Sequence, residues 1–530
     1  MATADRLSAL PDRALQRVLC FLDVRDAAST SVLSQRWRTL WRQADTLNLN
    51  TRSYRGVGYD GARVGKLLFG DAMEAVYAGG RCPVRKLSVR VDSFFQNDYL
   101  EHAMRTTPGM DALLAAPAVQ SLEELCVVLV SEFCQTGDEY TLPVSSLPWR
   151  SLRVLNIKGC TLGPPGTAVF ERLKTLKMVF CKTTPENLQE MIDAASNLSS
   201  LWLEHVSFKS DQLGVDWYTV KSKLRVLLHC PETLTYVTLM HCHSTDGLFL
   251  DGPNVRSLRY KGYLQHFPFD AMTPSSSPIL LQQVDVSVCT RCYIRPSREV
   301  QSHAAFWESI GGFSHLRVLK LKVRDINDIA VHPHQEEKFL KLFPDLKFLE
   351  VKGSYEVDSC AASVAIANLL HCCPAMQELR LNFKLHGDPN ASPDRMIHQT
   401  DERRAQLDLE KSMKSLSMLK SKMSSSPCYN VHDDDMDLFA LKGRSFPCLD
   451  SHLRIIRLEF ELEGFNCFAE KITKFLLENA LVLEEIEVWD GDQGVCNHIH
   501  RKLPVWRANS SKSRINIIVG GQNEGQNMWH

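Results

Sequence analysis

From position 84 onward one short pattern recurs: an aliphatic residue, a second three positions on, and a third two further. The copies start at Val84, Leu122, Leu152, Leu173, Leu198, Leu234, Val255, Leu281, Leu316, Leu346, Met376, Leu453 and Leu483. Leu198-Leu201-Leu203 and Leu316-Leu319-Leu321 show it cleanly. Side chains alternate along a strand, so the second and third members share one face of a short strand entered by the first. The starts fall 38, 30, 21, 25, 36, 21, 26, 35, 30, 30, 77 and 30 residues apart. No such unit covers its own apolar edge, so neighbours must stack to cover it.

Periods of roughly 20–29 residues, lengthened by insertions, are those of leucine-rich repeats. A parallel α/β domain is the competing arrangement, but the uneven spacing and the repeated leading leucine favour a stacked solenoid of about 12–13 repeats. Pro185 to Ala195 opens on proline and sets Leu188, Met191 and Ile192 at helical spacing. Ala361 to His371 reads as a second helix between strands. Lys221 to Cys230, ending at Pro231, reads as a third, so Leu224-Leu227 is not counted as a strand. The long gap, 387–437, is charged, rich in Lys, Ser and Met, and carries Ser424-Ser425-Ser426-Pro427 and Asp433-Asp434-Asp435. That composition predicts a disordered insert. The expected division is 1–45, a helical head; 46–385, repeats; 386–445, a mobile charged insert; 446–508, C-terminal repeats; and 509–530, a flexible tail.

The head follows helical rules. Leu15, Val18, Leu19 and Leu22 stand at i, i+3, i+4 and i+7. Pro11 suits a first turn. Asp23 to Asp26 ends this helix and caps the next, over Asp26 to Leu33. Ser34 is placed to cap a third, which carries Trp37, Leu40 and Trp41. Three helices in about 35 residues bury too little surface to stand alone.

Leu10-Pro11-Asp12, Leu15, Val18-Leu19, Leu22, Arg25-Asp26-Ala27 and Thr30-Ser31-Val32-Leu33-Ser34-Gln35-Arg36-Trp37-Arg38-Thr39-Leu40-Trp41 together resemble the F-box of plant F-box proteins. Ala14 departs from it, since an acidic residue is common there. From Leu453-Arg454-Ile455-Ile456-Arg457-Leu458 through Asn479-Ala480 and Leu483-Glu484-Glu485-Ile486, the chain is similar to the FBD-type ending of plant F-box/leucine-rich-repeat proteins. The resemblance implies an α/β chain with a three-helix F-box before the repeats, serving as the substrate-recognition subunit of a Skp–cullin–F-box ubiquitin ligase. It implies that Leu10, Pro11, Leu15, Val18, Leu19, Leu22, Leu33, Trp37, Leu40 and Trp41 bind a Skp-family adaptor and, through it, cullin. The repeats would hold the protein marked for proteasomal degradation, and the covalent chemistry would belong to other subunits. A leucine-rich scaffold, or a small-molecule or hormone receptor using the same adaptor, would read similarly.

The formal net charge is −1, so no bulk electrostatic pull toward nucleic acid or an anionic membrane is expected. No apolar run reaches the ~18 residues of a membrane span, and the N-terminus lacks a basic-then-apolar signal pattern. The 17 cysteines read as reduced thiols, which fits the nucleus or cytoplasm. No Gly-rich phosphate loop, nucleophile elbow or His-Glu-x-x-His motif is present, so no enzyme, cofactor or metal is expected. Cys289-Thr-Arg-Cys292 is a lone pair. His241-Cys242-His243 and His371-Cys372-Cys373, its only candidate partners, sit at element ends where buried cysteines are routine.

The even offsets +2, +4 and +6 face away from the core. They put Trp202, Tyr236, Met240, Arg259, Lys261, Lys320, Lys322, Lys352 and Arg380 on one open surface, opposed by Glu204, Asp285, Glu350 and Glu378. Trp202, Tyr236, Met240, Arg259, Lys261, Lys320 and Lys322 are the expected substrate-binding set: an aromatic anchor beside a basic stripe.

Overall fold

A computed structural model describes residues 9–57, 61–78, 82–93, 109–131, 140–208, 225–269, 280–289, 303–355, 361–385, 438, 440–461, 467–490 and 515–521. The chain divides into two compact units, Met1–Gly262 with His266–Ile279, and Tyr263–Gln265 with Leu280–His530.

In the first unit the sheet runs in chain order through Thr46–Asn50, Lys86–Ser93, Glu124–Ser131, Val154–Lys158, Thr175–Val179, Ser200–Glu204, Tyr236–Met240 and Ser257–Gly262. Every neighbouring pair is parallel. The register aligns the repeat: Leu87, Leu125, Leu155, Leu176, Leu201, Val237 and Leu258 form one buried row. Shifting a strand by one residue would turn each of its buried leucines to the opposite face, so the apolar row itself sets the pairing. A second row of short strands, Thr141–Leu142, Thr161–Leu162, Lys182–Thr183 and Ser207–Phe208, follows the main strands.

The second unit continues the same logic through Gln283–Val288, Val318–Asp325, Phe348–Tyr355, Glu378–Leu385, Ile455–Glu461, Glu485–Asp490 and Asn516–Gly521. Val284, Leu319, Leu349, Leu379, Ile456 and Ile486 are its buried row. Longer repeats here carry helices, His303–Ile310, Ala361–Cys372 and Cys467–Asn479. Asn368, fully buried in the second helix, is satisfied: its Oδ1 accepts from Val331 N at 2.8 Å and its Nδ2 donates to Glu336 at 3.2 Å.

Four expectations change. Residues 226–229 form a strand, not the end of a helix, and pair in parallel with Leu248–Asp251. Val226 and Leu228 are buried while Leu227 is 44% exposed, so the period is two, masked in sequence by an apolar outward residue. Within the stretch expected as a loose tail, Asn516–Gly521 pair with Glu485–Asp490. The template missed this strand because Arg514 stands where the leading leucine would be. Thr46–Asn50 is a further strand whose leading residue is the smaller Ala44, 4% exposed. In the head, the second helix is Val24–Ser29 followed by a 3-10 turn, Thr30–Val32. The 387–437 insert, and the helix expected at 406–422, lie outside the described residues.

Candidate functional site

The head begins with α1 (Asp12–Leu19), preceded by Pro11 in extended geometry. Asp23 caps α2 (Val24–Ser29), its Oδ1 accepting from Asp26 N at 2.9 Å. α3 (Trp37–Gln43) has no side-chain cap; Ser34 contributes its carbonyl, which accepts from Trp37 N at 3.1 Å. Leu15, Leu19, Ala27, Trp37, Leu40 and Ala44 form the core, with Leu22 and Trp41 packed at its margin. Arg36 donates Nε–H to Asp12 at 2.7 Å and ties the start of α1 to α3.

This core divides the expected adaptor set into buried and exposed members. Leu15, Leu19, Trp37 and Leu40 are at most 6% exposed and pack on one another. The solvent-facing members are Leu10, Pro11, Val18 and Leu33, with Leu10 at 36%, Val18 at 46% and Leu33 at 60%. Two residues absent from the expected set are more exposed still, Phe21 at 82% and Val32 at 87%.

The head is tied to the first repeats within its unit. Asn48, on strand Thr46–Asn50, donates to the carbonyls of Cys20 and Leu22 at 2.8 and 3.0 Å. Arg25 donates to Ser53 O at 3.0 Å and lies 5.2 Å from the centre of the Tyr54 ring. The Tyr54 hydroxyl donates to Asp71 at 2.5 Å, and burial with the adjacent carboxylate raises its pKa well above the ordinary phenol range.

On the repeats, the residues expected to bind substrate fall in both units. In the first, Trp202 is half-buried, its Nε1–H donates to Glu204 at 3.0 Å, and Lys177 Nζ lies 3.9 Å from its ring centre. Tyr236 is 61% exposed. Arg259 is not beside Trp202; Thr238 intervenes in the register, and Lys261 neighbours Met240. Lys177, at the +4 offset of its own repeat, is the cation that meets Trp202. The same offset rule marks it in the sequence.

In the second unit, several cations of this face are already paired. Glu350, 6% exposed, sits between Lys320 at 3.6 Å and Lys352 at 2.9 Å. Arg380 pairs with Glu378 at 2.6 Å. Arg457 reaches Glu378, Glu485 and Glu487 at 2.5, 3.5 and 2.9 Å. Lys322 is exposed. Cross-strand pairing of opposite charge stabilises a sheet and lowers the attraction of this face for an anion.

Three of the buried thiols singled out in the sequence are held in the protonated form. Burial pushes Cys242 and Cys372 up to about 12 and Cys373 well above its ordinary value, far from the thiolate form that nucleophiles and metal ligands require. Cys292 lies outside the described residues.

Residues 7–47 match the F-box domain family, and residues 110–259 match the family described as FBD-associated F-box protein At5g56370, LRR repeats. An F-box/LRR-repeat protein of Arabidopsis thaliana is 26% identical over 280 residues, 51% of this chain and 54% of that protein. The chain thus spans about half the length of that relative. The F-box/FBD/LRR-repeat protein At5g53840 of the same plant is 23% identical over 506 residues, 94% of this chain and 92% of that one. The meiotic F-box protein MOF of Oryza sativa subsp. japonica is 30% identical over 187 residues, 34% of this chain and 33% of that protein. No described helix is long and apolar enough to cross a membrane. A helical head thus lies in the first match and a parallel repeat sheet in the second, and the chain is similar to the F-box/LRR-repeat and F-box/FBD/LRR-repeat proteins of Arabidopsis thaliana.

Proposed function

We propose that this chain is the substrate-recognition subunit of a Skp–cullin–F-box ubiquitin ligase. Its three-helix head docks on a Skp-family adaptor, and its repeats, stacked as a solenoid within each unit, hold the protein to be ubiquitinated. The observation that carries the reading is the division of the head into an inward core and an outward apolar group. Leu10, Pro11, Val18, Phe21, Val32 and Leu33 make the adaptor contact, with Leu22 and Trp41 at its rim. Leu15, Leu19, Trp37 and Leu40 act by holding that group in place. Removing exposed apolar side chains from water is the dominant favourable term in most protein–protein association.

The bonds from Asn48 to the head, and from Arg25 of the head to Ser53, support rigid transmission of position from adaptor to the first repeats. The chain supplies no chemistry of its own in this scheme; it raises the local concentration of substrate. Copurification from plant cells tests it: wild type recovers adaptor and cullin, and Phe21→Ala with Val32→Ala recovers neither while the chain keeps its melting temperature. Recovery of both by the double variant, at wild-type level, sinks the proposal and leaves a scaffold or small-molecule receptor.

A further inference from the structure

Four successive repeats of the first unit end alike. Gly159, Phe180, His205 and His241 each follow a main strand in the left-handed conformation, with φ of +70°, +50°, +49° and +55°. Each donates its backbone N–H to the next strand, to Val179, Glu204, Met240 and Lys261, at 2.8–3.0 Å. Non-glycine residues adopt this conformation at a cost of roughly 1–2 kcal/mol each, so three in succession must be held there by the surrounding structure. Their rings stack: Phe180 on His205 at 4.4 Å and 7°, His205 on His241 at 4.5 Å and 18°. Both imidazoles have lowered pKa values, chiefly through burial, so they stack as neutral rings near pH 7.

The stack ends at glycine. A Cβ on Gly159 would lie 2.3 Å from the Leu129 carbonyl oxygen, so no side chain fits there. The outer face of Phe180 therefore has no ring from the preceding repeat, and the residue is 50% exposed. Lys158 Nζ lies 5.5 Å from the Phe180 ring centre, and Lys177 stands over Trp202. Among the described residues neither ammonium is in an ion pair.

We infer that this vacancy in the ring stack is a subsite for one aromatic side chain of the bound polypeptide, flanked in that polypeptide by acidic residues that meet Lys158 and Lys177. The inference rests on the reading that the repeats bind a protein. It adds the class of segment they take: an aromatic residue in acidic surroundings. The ring would continue an existing offset stack, and the carboxylates would face two cations that have no ion-pair partner among the described residues.

The probe is the capped pentapeptide Asp-Asp-Phe-Asp-Asp, titrated by peptide-observed NMR against the full chain. Phe180→Gly removes the ring at a backbone position that glycine prefers, so it should fold at least as well as wild type. It should weaken the peptide on the order of tenfold, as should alanine in place of the peptide's phenylalanine. Lys158→Glu with Lys177→Glu should weaken binding and flatten its salt dependence, and it decides the matter should Phe180→Gly fail to fold. Equal binding of the Phe and Ala peptides, no binding up to millimolar peptide, or Phe180-dependent binding of an oligothymidine in place of the peptide overturns the subsite. Adaptor copurification is untouched by these substitutions, so its failure would count against the ligase reading alone.

Discussion

Leu15 and Phe21 belong to the same stretch of head yet meet opposite environments, 0% and 82% exposed. Leu15→Ala should destabilise the head by ~2–5 kcal/mol, because it leaves a cavity among Leu19, Trp37 and Leu40. Phe21→Ala should shift stability by less than ~0.5 kcal/mol and act on adaptor capture only. Urea unfolding and copurification of the two variants separate these outcomes. Spacing alone did not distinguish them. Leu15, Val18, Leu19 and Leu22 satisfy one helical period, and only the position of α3 decides that Leu15 and Leu19 turn inward while Val18 does not. His241 makes a pH prediction. Its pKa is depressed from the ordinary 6.5 to about 4 by burial, by Lys261 and by His205. A histidine that binds its proton more weakly when folded contributes stability at pH above 6.5, and this is lost as pH falls toward 4. The thermal midpoint should therefore fall more steeply between pH 6.5 and 4 in wild type than in His241→Asn, which keeps a side chain tolerant of positive φ. Parallel curves for the two proteins would show that His241 does not contribute.

At the scale of elements, the strands on either side of the long insert pair directly. Glu378–Leu385 runs parallel to Ile455–Glu461, with Leu379 opposite Ile456 and Leu381 opposite Leu458. The sheet thus closes without residues 387–437. Replacing them by a short Gly/Ser linker should move the melting temperature by no more than about 2–4 °C, the shift of a ~1 kcal/mol change in a large domain. The deletion must stop there, since Leu441 and Phe446 are buried and Arg444 holds Glu336 at 2.9 Å. The C-terminal strand behaves oppositely. Ending the chain before residue 515 removes Asn516–Gly521 and leaves the Glu485–Asp490 edge unpaired, so stability should fall and aggregation rise. Light scattering during a thermal ramp reads both. The repeat strands were legible because the leading aliphatic and the two that follow are local in sequence. The strand at Val226–His229 was not, because Leu227 points outward and hides the alternation.

At the scale of the whole molecule, a net charge of −1 leaves little self-repulsion near neutral pH. With Phe21, Val32 and Leu33 exposed, the chain without the proposed adaptor should self-associate at pH 7. Phe21→Ser with Val32→Ser, or coexpression of the adaptor, should restore a monodisperse species in size-exclusion chromatography. A monodisperse wild-type chain would mean that this apolar group is covered from within. The sequence by itself determined the repeat, the facing of its core rows and the helical nature of the head, because each depends on apolar residues a few positions apart. Tertiary structure alone decided which apolar residues of the head face solvent. It also decided that Lys320, Lys352, Arg380 and Arg457 are already paired, and that Phe180, His205 and His241 stack. Those contacts join residues far apart in the chain through the register of neighbouring strands, and register is a property of the whole sheet.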